Sequence, residues 1–535
     1  MNAGSYLATP AWRDLVADTV DGRPARLWRE RPRHILDLLD LACRRDDLDY
    51  LVQAERRFSF ADFHHAIEVG AHALRDAGVR PGDRVLIVLH NRCEVPLVQW
   101  AAWRLGAVPV FGNRWWSEAE LAAIVAATGP AAIVTDMTVD NATRGRRTLL
   151  RPEEIERWWR APPASTPIAD PRARADESDV CLIVYTAGST GGPKGVGLMH
   201  RNLIWTMQTL HVMQGGRPPE PADAAAQKVA LITTPMFHNG AIVSGVLSLV
   251  DGNRMVALKG KFATQEVLDL IERERITSWL AVPTMFRRLM RDSGFGQRDL
   301  SSLIAPSTGG TMVEATLIDE ISAALPHARD NLSVAYGMTE MSFVSMATAA
   351  QLRARPGTVG QAVLGVEVAI ANPDADGNGE ILARSGALMH GYLDAPVQPI
   401  DADGWYHTGD VGRLDADGFL FITGRAKDMV IRGGENISCP HVEAALQEHP
   451  DILEVAVTGV PDPDLGEALV AFIAPRPGVQ LPEAALVAFA REKLAYFAVP
   501  SRWAVQTDPL PTLPTGKIDK QALLARFLAI PPSVA

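Results

Sequence analysis

Cysteine is scarce in this chain. Four occur in 535 residues, at Cys43, Cys93, Cys181 and Cys439, with no CxxC pair and no His–Cys cluster at zinc spacing. That argues against a disulfide framework or a structural zinc site, and reduced, mostly buried thiols point to a cytoplasmic protein. Positive charge is also in short supply: 52 Lys and Arg against 63 Asp and Glu leave a formal net charge of −11. General electrostatic binding to nucleic acid or to anionic lipid is therefore not expected, although a local basic site is compatible with the total. The N-terminus has no basic stretch followed by an apolar core, so no signal peptide is expected. An unbroken apolar run of membrane-spanning length is missing too. The best candidate, 229–250, has no Asp, Glu, Lys or Arg over 22 residues, yet Thr233-Thr234-Pro235 and His238-Asn239-Gly240 interrupt it. A buried strand, a turn and a buried helix are expected there, not a span.

What is present describes an ordinary globular protein, 47% apolar and 21% charged, long enough for several buried cores. Over the first 420 or so residues, short apolar runs alternate with longer amphipathic ones. Val85–Leu89, Ala132–Thr135, Cys181–Tyr185, Val229–Thr233, Trp279–Val282 and Val334–Tyr336 read as buried strands. Phe60–Ala77, Glu118–Ala127 and Gln265–Arg273 read as helices between them. This alternation predicts α/β architecture with parallel sheets covered by helices. From Gly357 the rhythm changes to shorter strands with Gly and Asp turns, including a hairpin signal at Asp417-Gly418. A final segment of about 110 residues mixes helix and strand, with Pro440 suited to the first turn of a helix. A boundary is expected at Arg425–Lys427, dividing the chain into 1–424 and 425–535.

The strongest local feature is the twelve-residue string from Tyr185 to Val196, which follows an apolar strand. Gly188, Gly191, Gly192 and Gly195 free the backbone to turn N–H groups toward an anion, while Thr186, Ser189, Thr190 and Lys194 add donors and charge. The loop suits a polyphosphate. It is not a Walker A loop, because Pro193 and Gly195 flank the lysine where that pattern needs Gly and Ser or Thr.

The string resembles the phosphate loop of the adenylate-forming superfamily, which includes acyl-CoA synthetases, luciferases and adenylation domains. Four further strings match that family in order: Tyr336-Gly337-Met338-Thr339-Glu340, then Trp405 through Asp410, then Gly424 through Ile437, then Gly516-Lys517. Gly82-Asp83-Arg84-Val85 and Gly106-Ala107-Val108 extend the likeness toward the N-terminus, so it covers most of the chain. The resemblance implies a large N-terminal domain of two parallel α/β subdomains plus a small β-barrel-like one, followed by a small mobile α+β domain. It implies ATP, Mg2+ and CoA as cofactors and an acyl-CoA synthetase as the closest kind of member.

Site roles follow from the same resemblance. Glu340, with Thr339, stands for the magnesium and phosphate contact; Mg2+ takes such a carboxylate beside substrate phosphate oxygens. Tyr336, Gly337 and Gly309-Gly310 stand for the adenine platform, although a tyrosine at a strand end is often plain core. Asp410 and Arg425 stand for the ribose contacts. His238 occupies the position of a ring beside the acid carboxylate, with a core histidine as the bland alternative. His407 is assigned no role.

Lys517 stands for the adenylation lysine. A carboxylate attacking the α-phosphate of ATP brings two anions together, and at ~4 Å and an effective dielectric near 20 one compensating charge pair is worth roughly 4 kcal/mol. Lys427 marks the family's hinge, about which the C-terminal domain is expected to change pose, and Gly433-Gly434 would line a pantetheine arm in the second pose. The stretches that would surround the acid, 238–241, 307–311 and 338–345, are small or apolar, and no aspartate in them is placed to hold an amine. The implied activity is ATP-dependent activation of a hydrophobic carboxylic acid (fatty, aryl or polycyclic) to acyl-AMP, then transfer to CoA. The alternatives are an adenylase that serves a carrier protein or a separate thiolation partner, and a nucleotide-sensing protein without turnover. No carrier domain is expected in the short stretch after Lys520.

Overall fold

The structure is a computed structural model and describes residues 10–42, 47–145, 147–163, 166–186, 193–213, 227–393, 399–425, 429–432, 435–462, 466–494, 498–513 and 516–529. Two large sheets dominate it. One has seven strands in the spatial order Gly391–Tyr392, Lys194–Met199, Val180–Thr186, Val108–Phe111, Arg84–Val88, Ala132–Thr135, Thr148–Leu150. The other has nine, with Val229–Ile232, Arg254–Ala257, Ser278–Ala281, Ala305–Gly309 and Ser333–Tyr336 forming its parallel centre. Central strands such as Val85 to Val88 are buried on both faces, which explains why they read as continuous apolar runs.

The expected strands appear within a residue of their predicted ends. The sheets are nevertheless mixed, because each carries antiparallel pairs toward its edges. Asp49–Gln53 joins the second sheet beside Arg254–Ala257, some 200 residues away in sequence. The interrupted stretch 229–250 folds as a strand, a turn and the helix Asn239–Asp251, and no helix among the described residues is long and apolar enough to cross a membrane.

Local signals set the helix ends. Phe60–Asp76 starts at a capping box in which Ser59 and Asp62 satisfy each other's backbone N–H groups at 3.0 and 2.9 Å. Glu94–Leu105 stops at Gly106, whose φ of +79° suits glycine.

The two sheets are tied at the carboxyl ends of their strands. The Asn91 side chain accepts from Met236 N at 2.8 Å and donates to the Thr234 carbonyl at 2.9 Å, while Gln53 donates to the Asn91 carbonyl at 3.0 Å. Asn91 and Gln53 are both buried, so each bond spares a backbone group an unmet desolvation cost of about 1–3 kcal/mol.

A four-stranded antiparallel sheet follows, Glu367–Ala371, Gly379–Arg384, Tyr406–Leu414 and Leu420–Arg425, the last two joined through the Asp417-Gly418 turn. The largest apolar core ends with it. Two separate clusters then line the two faces of a five-stranded C-terminal sheet built from Ile452–Asp462, Gly466–Pro475 and their neighbours. Pro440 lies in the first turn of the helix Cys439–Gln447.

Candidate active site

Parallel strands of an α/β sheet present their carboxyl ends on one side, where ligands bind. The predicted residues that fall within the described structure gather there. Thr186 ends the strand Val180–Thr186, Lys194 begins the next strand, and the two residues pair in register. Gly188, Ser189, Thr190 and Gly191 lie outside the described residues, as do Lys427, Gly433 and Gly434. The Lys194 ammonium sits 5.0 Å above the ring of Tyr392. The Tyr392 hydroxyl donates to Glu340 Oε1 at 2.6 Å and lies 3.2 Å from the Tyr406 hydroxyl. Glu340 is buried, Thr339 half-buried. Burial, and then the Glu340 carboxylate, push the Tyr392 hydroxyl well above the usual tyrosine range, so it stays protonated and remains a donor.

A second linked set stands beside it. Asp410 is buried; its Oδ2 accepts from the Tyr336 hydroxyl at 2.6 Å and its Oδ1 from Arg425 Nε at 2.7 Å. Each carboxylate oxygen keeps a further lone pair. Tyr336 thus fixes Asp410 across 74 residues of sequence, a bond that no local pattern announces.

The glycines of these motifs have structural reasons of their own. A Cβ at Gly337 would lie 1.9 Å from the Ser342 carbonyl oxygen, and one at Gly309 would lie 2.2 Å from that of Ala335. Gly310 needs no such clearance, but its φ of +76° favours glycine. Ser342 itself has φ +64°, a strained setting for a serine, and its hydroxyl accepts from the Asn239 amide at 3.1 Å.

The surroundings of His238 look different. His238 precedes the helix Asn239–Asp251, and its Nε2 is buried with no partner among the described residues. Asn239 Oδ1 and Thr308 Oγ1 share that condition. Burial, with the Lys517 charge adding to it, lowers the His238 imidazole to about 4, so the ring is neutral at neutral pH.

Lys517 comes to the same place from the C-terminal segment. Its ammonium is lowered to about 8, first by burial and then by Arg425, with Asp410 opposing. The lysine sits on a tight turn in which Gly516, at φ +83°, exposes its carbonyl to Thr284 Oγ1 at 2.5 Å. Thr284 belongs to the helix Pro283–Met290, and Arg288 on that helix reaches Glu454 at 3.4 Å. His407 is exposed and engages Glu380 at 2.9 Å.

Sequence reasoning missed Tyr392, Tyr406 and Thr284. Tyr392 lies on a two-residue edge strand, where no periodicity can form.

The arrangement can hold a nucleotide between two paired carboxylates and bring a lysine against an anion beside a neutral imidazole. Among the described residues no group of three or more His, Cys, Asp or Glu could cage a metal ion by itself. A lone carboxylate such as Glu340 fits Mg2+ held chiefly by substrate phosphates and water.

Comparisons with known proteins agree with this geometry. The sequence pattern of the AMP-binding enzyme family matches residues 41–393, and that of the AMP-binding enzyme C-terminal domain matches 441–517. A feruloyl-CoA synthase of Amycolatopsis sp is 33% identical over 482 residues, covering 88% of this chain and 94% of the relative. A 3-[(3aS,4S,7aS)-7a-methyl-1,5-dioxo-octahydro-1H-inden-4-yl]propanoyl:CoA ligase of Rhodococcus jostii (strain RHA1) is 32% identical over 507 residues, covering 89% and 95%. The ATP-bound MatB of Rhodopseudomonas palustris superposes with a TM-score of 0.80 at 25% identity, over 92% of this chain and 98% of that one.

Proposed function

Because the chain belongs to the AMP-binding enzyme family, we propose that its strand-end site activates a ring-bearing hydrophobic carboxylic acid. The protein is an acid–thiol ligase: ATP and the acid give acyl-AMP and pyrophosphate, and the acyl group then passes to the thiol of CoA. One observation carries the site reading. Lys517, from the C-terminal segment, lies within electrostatic reach of His238, Asp410 and Arg425, which supports placing it where a carboxylate and an α-phosphate would meet.

The residues divide the work by their chemistry. Asp410, fixed by Tyr336, accepts from the ribose hydroxyls, with Arg425 alongside; Tyr336 and Gly309-Gly310 frame the base. Lys194 and the loop before it face the outer phosphates. Lys517 lies between two anions and offsets their repulsion as charge gathers on the transferring phosphorus; positioning and electrostatics carry the rate. The neutral His238 ring directs Nε2 toward the acid without adding a competing charge. Mg2+, with Glu340 and Thr339 as its protein contacts, would neutralise phosphate charge. Residues 1–424 supply the acid and nucleotide contacts and 425–535 supply the lysine; Lys427 would be the hinge between two poses, and Gly433-Gly434 would lie along the pantetheine arm.

The relatives named as acting on feruloyl and on bicyclic propanoyl groups support a ring in the acid. Their naming as CoA synthases and ligases favours CoA over a carrier protein as acceptor. A cytoplasmic setting is supported by free, buried thiols at Cys93 and Cys181.

Acid-dependent exchange of labelled pyrophosphate into ATP tests the reading. Aryl and alicyclic acids should support exchange, and Lys517→Ala should lower its rate on the order of 10²–10³. Exchange that survives Lys517→Ala unchanged would remove the lysine from the reaction.

A further inference from the structure

We propose that one face of the helix Pro283–Met290 is the dock that positions Lys517, with Thr284 and Arg288 setting how often the lysine stands in the site. The inference rests on the reading of Lys517 given above. Thr284, Arg288 and Arg291 are spaced four and three residues apart, so they lie on one side of the helix and its end. Each reaches the C-terminal segment. Thr284 Oγ1 donates to the Gly516 carbonyl at 2.5 Å, Arg288 Nη2 reaches Glu454 Oε1 at 3.4 Å, and Arg291 Nη1 donates to the Leu453 carbonyl at 3.4 Å.

The turn that carries the lysine is braced within its own segment. Leu513 N donates to the Lys517 carbonyl at 2.7 Å, Asp519 N donates to the Pro511 carbonyl at 2.8 Å, and Thr512 pairs with Ile518. At the base of this hairpin Leu510 is buried, and its N–H donates to Glu454 Oε2 at 2.7 Å. Glu454 therefore links Arg288 to the base of the hairpin, while Thr284 holds its tip. The tip fits closely, since a Cβ at Gly516 would lie 3.0 Å from Val282 Cγ2 and 3.4 Å from Met285 Cε. The helix is fixed in turn by Met285, Phe286 and Leu289, all buried, and the Phe286 ring lies 4.5 Å from that of Trp279 in the nine-stranded sheet. The place of the lysine is thus set from the sheet through the helix. Thr284 and Arg288 are positioning residues, because they act through the turn. Each contact is modest: a neutral hydrogen bond and a half-exposed ion pair both contribute little. The docked state is favoured narrowly, and the loss of one contact lowers its population.

The test is pyrophosphate exchange by the full chain, with ferulate and 3-cyclohexylpropanoate as the acids. Thr284→Val keeps the branched shape and removes the donor. It should lower kcat roughly 2- to 10-fold while KM for ATP stays unchanged, and Thr284→Ser should restore the rate. Added to Lys517→Ala, Thr284→Val should cost nothing further, because it acts only through the lysine. Thr284→Val should also carry the falling limb of the pH profile above about 8, since a lysine docked less often is desolvated less. Arg288→Met should act in the same direction and more weakly, about 2-fold. An unchanged rate in Thr284→Val, or an equal loss in the wild-type and Lys517→Ala backgrounds, would overturn the proposal. Exchange that Lys517→Ala leaves unchanged, or no exchange with either acid in the wild type, would instead overturn the reading of the site on which it rests.

Discussion

The nucleotide side and the acid side of this site solve the problem of buried polar groups in opposite ways. On the nucleotide side the groups are paired with one another: Tyr336 and Arg425 with Asp410, Tyr392 with Glu340. On the acid side His238, Asn239 and Thr308 each keep a buried atom without a partner among the described residues. On the proposed reading the first set is preorganised for a ligand that never changes, and its carboxylates would spend no free energy on reorienting when ATP arrives. The second set leaves its hydrogen bonds for the guest to complete. Fixed chemistry and variable specificity are thus kept in different networks.

Breaking the paired side should have the larger effect. Asp410→Ala leaves the buried Tyr336 hydroxyl without its acceptor, which should cost about 1–3 kcal/mol of stability in urea unfolding. The same change should raise KM for ATP far more than KM for the acid; equal effects on both would show that the two networks are not separate. Tyr392→Phe removes one hydrogen bond to a charged group, so exchange should fall roughly tenfold, with the loss concentrated in ATP and Mg2+ dependence. A shift in acid selectivity instead would contradict the division.

A pH profile gives the finest cut. Lys517 is lowered to about 8, so its charge is complete below that value and lost above it. Exchange under kcat/KM conditions should fall as pH rises through about 8, and Lys517→Arg should carry the falling limb to higher pH. His238 is lowered to about 4 and holds no proton to lose between pH 6 and 8, so that interval should be flat on the acid side. A limb near 6.5 would assign the imidazole a proton that the structure withholds.

Much of this was legible from residue order. The buried strands announced themselves because both faces are covered, and the motif strings placed Glu340, Asp410 and Lys517 in one reading. The edges were not legible: Asp49–Gln53 pairs with Arg254–Ala257, and nothing local records a partner 200 residues away. Tyr392 escaped for a related reason. Its importance lies in what stands opposite it, the Glu340 carboxylate. The motif glycines were legible as motif but not as cause, since Gly309 and Gly337 answer to neighbouring carbonyls.

The contact of Gly516 with Thr284 has a consequence for how variation in this chain should be interpreted. A side chain at Gly516 would need a positive φ and would come within 3.0 Å of Val282 Cγ2. Gly516 is assigned no contact with substrate, yet any replacement would tilt the lysine beside it away from its target. A heritable change there would therefore mimic loss of the lysine itself, and an inspection confined to substrate-touching residues would score it as harmless.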